Sequence, residues 1–137
     1  MKKYLNISLI YAFAALIFGV FYREFTKWNG YSQVTTLGKV HGHLFMLGTI
    51  GFLMVALFSV HLNLQKCKMF HVFLWVYNIG IPVSTVMMVI RGITQVLDIS
   101  LSNAADAAIS GIAGIGHIFT GVGIILFLLS LRKTAEN

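Results

Sequence analysis

Four long apolar runs, separated by short polar segments, dominate the hydrophobic pattern of the chain. A helix that spans a membrane needs about 20 mainly apolar residues. Four stretches qualify, at about residues 4–23, 36–61, 70–95 and 107–131. The bilayer core offers no water to backbone groups, so such runs form helices, and short connections make neighbours antiparallel. The pattern predicts an all-α membrane protein, with residues 1–137 forming one antiparallel four-helix bundle.

The composition agrees with a lipid bilayer as the environment of the chain. Of the 137 residues, 58% are hydrophobic and 10% are charged, whereas about 25% are charged in a typical soluble domain. The net charge of +6 raises the question of nucleic acid. Because the charges flank apolar runs and form no patch with interleaved aromatic residues, we expect no nucleic-acid partner.

The distribution of positive charge predicts the orientation. Basic residues cluster at the N-terminus, in the middle loop and at the C-terminus, and three of the four acidic residues lie on the opposite side. The basic cluster comprises Lys2, Lys3, Lys66, Lys68, Arg132 and Lys133. Since cytoplasmic loops carry an excess of Lys and Arg, both termini are predicted to be cytoplasmic.

A short internal match suggests that the chain consists of two similar hairpins. The sequence GHLF at 42–45 resembles GHIF at 116–119, and both lie in the second span of their half. Two parallel hairpins related by an axis along the membrane normal place equivalent residues at equal depth. His43 and His117 are then expected to face each other from opposite walls.

The deepest ionisable residue is His117, which lies within the fourth span with no charged neighbour in sequence. Such residues are costly in a membrane and are usually functional. Gly114 and Gly121, at −3 and +4, share its helical face and leave a flat gap. Close helix packing, with His117 bonded to a neighbouring carbonyl, is one interpretation. A porphyrin is the other, because it is flat and takes axial ligands from inward-facing helices.

The second axial ligand is left open between two histidines of the second span. His41 and His43 point about 200° apart, so one iron is not expected to bind both. The internal repeat favours His43, and a glycine bracket at Gly38 and Gly48 favours His41. The chain has no CxxCH motif, which predicts a non-covalent b-type haem.

Cations at the opposite side from the basic cluster are candidates for the haem propionates. Arg91 lies near the end of the third span, and Lys39 precedes His43 by one turn. His61 and His71 lie near water and are weaker candidates for a second haem. Asn78 is expected to use its amide across the bundle, because Pro82 removes a backbone hydrogen bond nearby.

The stretch TTLGKVHGHLFMLGTIGFLMVALF, with WVYNIG at 75–80 and MMVIRG at 87–92, carries a family resemblance. The chain resembles small four-span bacterial membrane proteins of unassigned function, a family that is similar to oxidase-like and nitric-oxide-response membrane haem proteins. One helix of the chain is similar to a helix of haem–copper oxidase catalytic subunits. The oxidase pattern is H-G-x-x-M; here His41 and Gly42 match, and Met46 falls one place late. The resemblance implies the bacterial inner membrane and a low-spin haem on His41, completed by His117. The three copper-ligating histidines of the oxidases have no counterpart.

The leading hypothesis is an integral haem protein for electron transfer, redox sensing or gas sensing, rather than an enzyme. No carboxylate pair or nucleophile constellation indicates catalysis. A quinone or a redox protein is the expected partner, and glycine-rich faces favour a homo-oligomer. A small oligomeric transporter or channel is one alternative. A membrane copper protein, using His-x-His with Met46, is another.

Overall fold

The chain is helical through all four of its apolar runs. The structure is a computed structural model, and it describes residues 1–135. Helix α1 is Lys2–Trp28, α2 is Leu37–His61, α3 is Lys68–Val96 and α4 is Asn103–Ala135. A short 3-10 turn, Leu64–Lys66, precedes α3. Each helix is long and apolar enough to cross a membrane, so the existence and order of the four predicted helices are confirmed.

Helix α2 is irregular in its middle. Leu37–His43 and Gly51–His61 are α-helical, but Leu44–Ile50 between them is a π-helix. Carbonyl groups of this π-helix receive hydrogen bonds from two other helices: Ser8 Oγ on α1 donates to Thr49 O at 2.8 Å, and Tyr77 Oη on α3 donates to Leu47 O at 2.9 Å. These bonds hold a helix form that is rare and that usually occurs as a local bulge.

The first turn of α2 is attached to the last turns of α3. The backbone N–H of Thr36 donates to Gln95 Oε1 at 2.9 Å, and Thr35 Oγ1 donates to Gly92 O at 3.2 Å. A Cβ at Gly92 would lie 2.5 Å from Leu37 N, so only glycine permits this approach. The attachment fixes the part of α2 that carries His41 and His43.

Helices α3 and α4 form the closest helix pair of the fold. A Cβ at Gly80 would lie 2.6 Å from Thr120 N, and one at Gly116 would lie 2.6 Å from Ser84 N. Gly123 receives the ring of Tyr77 in the same way, with Cδ2 at 2.8 Å. Small residues therefore let the two backbones touch, as in membrane helix pairs.

An aromatic cluster packs at the end of the bundle where α1 and α3 begin. Phe73 and Phe127 stack with their ring centroids 4.9 Å apart, and Tyr4 meets Phe70 edge-on at 5.8 Å. Helix α3 continues through Pro82, and the amide of Asn78 donates to Leu74 O at 2.7 Å in its own helix. The expectation that Asn78 bonds across the bundle is therefore wrong.

The ends of α1 and α3 share one geometry. Gly30 follows α1 with φ +59°, and Tyr31 N donates to Thr26 O at 2.9 Å. Asp98 follows α3 with φ +50°, and Ile99 N donates to Thr94 O at 3.0 Å. Both are Schellman-type caps, which need a left-handed residue at this position. The likeness agrees with two similar hairpins, although the repeat itself stays a prediction.

Candidate haem-ligand groove

Two histidine rings face each other between α2 and α4. The ring centroids of His43 and His117 are 6.1 Å apart, and the ring planes lie at 84°. Farther along the same two helices, Phe58 and Phe127 approach edge-on with centroids 6.3 Å apart. Since α4 packs mainly against α3, these ring pairs line a groove between α2 and α4, which we call the histidine groove.

Both rings are held by their own helices through the same atom. His43 Nδ1 donates to Lys39 O at 3.1 Å, and His117 Nδ1 donates to Ala113 O at 2.7 Å. A carbonyl can only accept, so Nδ1 carries the proton, and in the neutral imidazole Nε2 then keeps its lone pair. Neither Nε2 has a hydrogen-bond partner within residues 1–135. A backbone carbonyl behind Nδ1 is the usual support of a metal-binding histidine.

The glycines beside these two rings leave open space. A Cβ added at Gly42, Gly114 or Gly121 would meet no atom within 4 Å outside its own helix. Gly42 adjoins His43 in sequence, and Gly114 and Gly121 bracket His117 on one face. Gly114 and Gly121 are exposed and have open space beside them, unlike the closely filled glycine sites at Gly80 and Gly116.

His41 points elsewhere. Its Cβ lies 3.7 Å from where Gly19 of α1 would carry a Cβ, and its Nδ1 is buried with no hydrogen-bond partner in the described chain. The glycines that bracket it hold aromatic rings: Gly38 lies against Tyr22, and Gly48 against Tyr11. This glycine bracket therefore serves helix packing and leaves no open space of the kind found at Gly114 and Gly121.

The predicted propionate cations lie toward the end of the groove where α3 meets α4. Arg91 Nη1 is 2.9 Å from Asp106 Oδ1, and Nη2 donates to Ser110 Oγ at 2.7 Å. Ser110 precedes His117 by seven residues, which is about 10 Å along a helix. The exposed Lys39 lies one turn before His43 and supplies that ring's carbonyl acceptor. Arg91 is thus already paired, and Lys39 is exposed.

Other candidate ligands are dispersed. His71 Nε2 donates to Gln65 O at 2.8 Å, His61 is exposed, and no ring contact joins the two in the described residues. Met46 is 65% exposed on the surface of α2. Residues 1–135 contain no group of three or more His, Cys, Asp or Glu placed to hold a metal ion. His43 and His117 are a pair and so fall below that size, and haem iron can be held by histidine ligands of so small a number.

The single cysteine of the chain lies outside the groove, in the loop before α3. Burial raises the pKa of the Cys67 thiol, but hydrogen bonds from the Phe70 and Met69 backbone and from Ser130, with the charge of Lys133, lower it by more. The net pKa is below the ordinary value for a thiol. Nothing in its position connects this thiol to the histidines.

Sequence reasoning missed the two features that place His43. The π-helix begins at Leu44, directly after His43, and Tyr77 spans the bundle to reach Leu47 O. A helix that is apolar on every side has no hydrophobic periodicity, so its sequence cannot indicate where the wider turns of a π-helix replace those of an α-helix. The tyrosine hydroxyl is the only hint, since a deep phenol must find an acceptor.

Comparison with known proteins identifies a family and leaves its activity open. One family model matches residues 1–134, almost the whole chain. The chain belongs to this family, described as "Protein of unknown function (DUF2871)". No curated protein and no solved structure matches it. The predicted membership of a family of unassigned function is therefore confirmed, while the likeness to haem–copper oxidases finds no support among these matches.

Proposed function

We propose that this DUF2871 chain is an integral membrane protein that binds a b-type haem between His43 and His117. The observation that carries the proposal is the facing pair of rings, 6.1 Å apart, each with Nδ1 bonded to its own helix. His43, rather than His41, is the proposed partner of His117.

The membrane placement rests on the four long apolar helices and on the basic residues at one end. We propose an antiparallel bundle in a bacterial inner membrane with both termini in the cytoplasm, because positive residues favour that side. Three of the basic residues lie close together, because Lys66, Lys68 and Lys133 line a common surface cavity. Their proximity supports a single basic end of the bundle.

The ring separation fits one metal ion shared by two imidazoles. Two imidazoles that held one metal ion from opposite sides would have their ring centroids about 6 Å apart, because a metal–imidazole bond is about 2 Å long and a centroid lies about 1 Å behind its nitrogen. The angle of 84° between the rings is compatible with this, since each ring needs only its own lone pair along the axis. The open positions at Gly42, Gly114 and Gly121 favour a flat ligand over a bare ion.

The polar end of the groove supports a ligand with carboxylates. Lys39 is exposed one turn from His43, and Arg91 lies about two turns from His117. We propose that Lys39 binds one propionate and that Arg91 binds the other by leaving Asp106. Asp106 is about half exposed, so water can replace the arginine there.

A haem held by both His43 and His117 would be suited to electron transfer or redox sensing. A bound haem supplies a one-electron couple, whose potential the protein sets through the axial ligands and their hydrogen bonds. The role of this chain is to hold both imidazoles as neutral donors through Lys39 O and Ala113 O. A gas sensor requires one ligand to leave, and His117 is the better candidate because it is more exposed than His43.

Two kinds of partner follow from this function. Only 17% of the most apolar 18-residue stretch of α4 is buried within the bundle. Much of the surface of this helix is therefore free to contact a second copy of the chain. We propose a homo-oligomer, together with a quinone or a redox protein that exchanges electrons with the haem.

The test is an absorption spectrum of the purified protein reconstituted with haemin. We expect a Soret band and sharp α and β bands on reduction, lost in His117→Ala and His43→Ala and kept in His41→Ala. A His117→Met variant should keep haem with a shifted spectrum, which separates ligation from folding.

Three outcomes contradict the proposal. Full haem binding by the double variant His43→Ala/His117→Ala excludes this site. Stoichiometric copper without iron favours the copper protein instead. Ion flux in proteoliposomes that depends on His117, in protein that binds no haem, favours a transporter or channel.

A further inference from the structure

A cavity lies between the N-terminal parts of α1 and α3. It measures about 300 Å³ and is lined by Lys3, Ile7, His71, Leu74, Trp75 and Asn78. It belongs to the basic end of the bundle, and neither the histidine groove nor any proposed propionate ligand contributes to it. We call it the α1–α3 cavity.

The cavity is basic at one end and mainly apolar at the other, where Asn78 is the polar side chain of the lining. Lys3 and His71 lie in the first turns of their helices, while Ile7 lies about 6 Å and Leu74 about 4.5 Å deeper along the helix axes. Trp75 is 75% exposed beside them. A ligand that follows this cavity meets positive charge first and hydrocarbon next, as an anionic amphiphile requires.

The polar end attracts an anion from two directions. Helices α1 and α3 both begin there, and helix N-termini carry a partial positive charge. Neither helix has an acidic residue in its first turn to balance that charge. Lys3 also forms no ion pair within residues 1–135. The charge at this end is therefore uncompensated by the described protein.

A hydrogen-bonded chain keeps the polar end in place. Gln65 Nε2 donates to Tyr4 Oη, and Gln65 O accepts from His71 Nε2 at 2.8 Å. The loop before α3 is thus tied to the first turn of α1, so Lys3 and His71 are held on facing walls.

We propose that the α1–α3 cavity binds one anionic phospholipid, with its phosphate at Lys3 and an acyl chain along Ile7, Leu74 and Trp75. Basic sites between helices on the cytoplasmic side are suited to phosphate headgroups. The proposal needs the membrane placement given above and is independent of the haem.

The experiment uses Trp75 as the reporter. The chain has two tryptophans, so Trp28→Phe leaves Trp75 alone. This variant is placed in phosphatidylcholine vesicles containing brominated phosphatidylglycerol, or brominated phosphatidylcholine for comparison. We expect phosphatidylglycerol to quench Trp75 with about a five-fold preference, the effect of one well-placed basic residue.

Lys3→Gln should bring that preference close to one, while the matched control Lys2→Gln, one residue away and outside the cavity, should keep most of it. Equal quenching by the two lipids overturns the proposal, and so does an equal loss in the two lysine variants, which indicates general surface attraction. Relief of quenching by inorganic phosphate identifies a free-anion site instead. If neither lipid quenches the tryptophan, the membrane placement is contradicted as well. Haem binding is tested separately, by the absorption spectrum.

Discussion

The two sides of α4 use glycine for opposite purposes. Toward α3, Gly116 and Gly123 remove side chains so that backbone and ring atoms of the neighbour can fill the space. Toward the histidine groove, Gly114 and Gly121 remove side chains and nothing fills the space. A glycine whose space is filled by a neighbouring helix stabilises helix pairing. A glycine beside a polar ring whose space stays open contributes no such packing energy. The second kind is the better indicator of a ligand site.

The largest expected effect on stability comes from disrupting the packing of α4 against α3. Gly116→Val places a Cβ 2.6 Å from Ser84 N, where backbone cannot yield, so we expect about 3 kcal/mol or more of destabilisation. Thermal unfolding of the detergent-solubilised protein, followed by circular dichroism, measures it. Gly114→Ala is the matched control and should unfold at the wild-type temperature or slightly above, since alanine favours helix. Equal destabilisation by both changes would remove the distinction between the two sides.

The next effect concerns the open side and depends on the proposed haem. Gly114→Leu puts a branched side chain one turn from His117, so haem affinity should fall at least about ten-fold while the unfolding temperature stays close to wild type. Haemin titration followed at the Soret band measures the affinity. Gly111→Leu has equal space around it but lies six residues from His117, and it should bind haem normally. Equal haem affinities of the two leucine variants would mean that the open glycines do not border the ligand.

A smaller effect is expected at the tyrosine that fills the closed side. Tyr77→Phe keeps the ring against Gly123 but removes the bond to Leu47 O, at a cost of about 1 kcal/mol. Tyr11→Phe is the control, because its hydroxyl has no hydrogen bond among the described residues and its ring still stacks on Phe52. Denaturant titration of both variants compares them. If Tyr11→Phe proves the more damaging, the π-helix does not depend on Tyr77.

The smallest effect belongs to the ion pair at the end of the groove. The side chains of Arg91 and Asp106 are 28% and 54% exposed, so Asp106→Asn should cost less than about 1 kcal/mol, and less still in high salt. Unfolding at low and high ionic strength measures both quantities. A loss of several kcal/mol would show that Arg91 is held too firmly to exchange Asp106 for a propionate.

The helices were predictable because lipid leaves few choices. A run of about 20 apolar residues must satisfy its own backbone, so spans at 36–61 and 70–95 follow from composition and agree with Leu37–His61 and Lys68–Val96. The helix ends extend beyond the predicted spans at 4–23 and 107–131 because polar residues continue a helix outside the apolar core.

The candidate site was predictable only in part. The pairing of His43 with His117 follows from two short matching sequences, and the structure brings the two rings together. The sequence did not show which glycines are covered by a neighbouring side chain and which are open. Gly48 and Gly114 have similar positions relative to a histidine, but Tyr11 covers only Gly48. Which glycine is covered depends on the rotation of neighbouring helices, and that rotation is set by contacts distant in sequence.

The π-helix of α2 has a consequence for how the chain tolerates change in length. Leu44–Ile50 holds the surplus residue that a regular helix would not accommodate, between the half that presents His43 and the half that presents Phe58. Removing one residue there would restore an ordinary helix and leave the two halves in nearly the same relative direction, because seven residues of π-helix, at about 80° each, turn about as far as six of α-helix, at about 100° each. The π-helix can therefore lose its surplus residue without a change in the direction in which His43 points relative to the second half of α2.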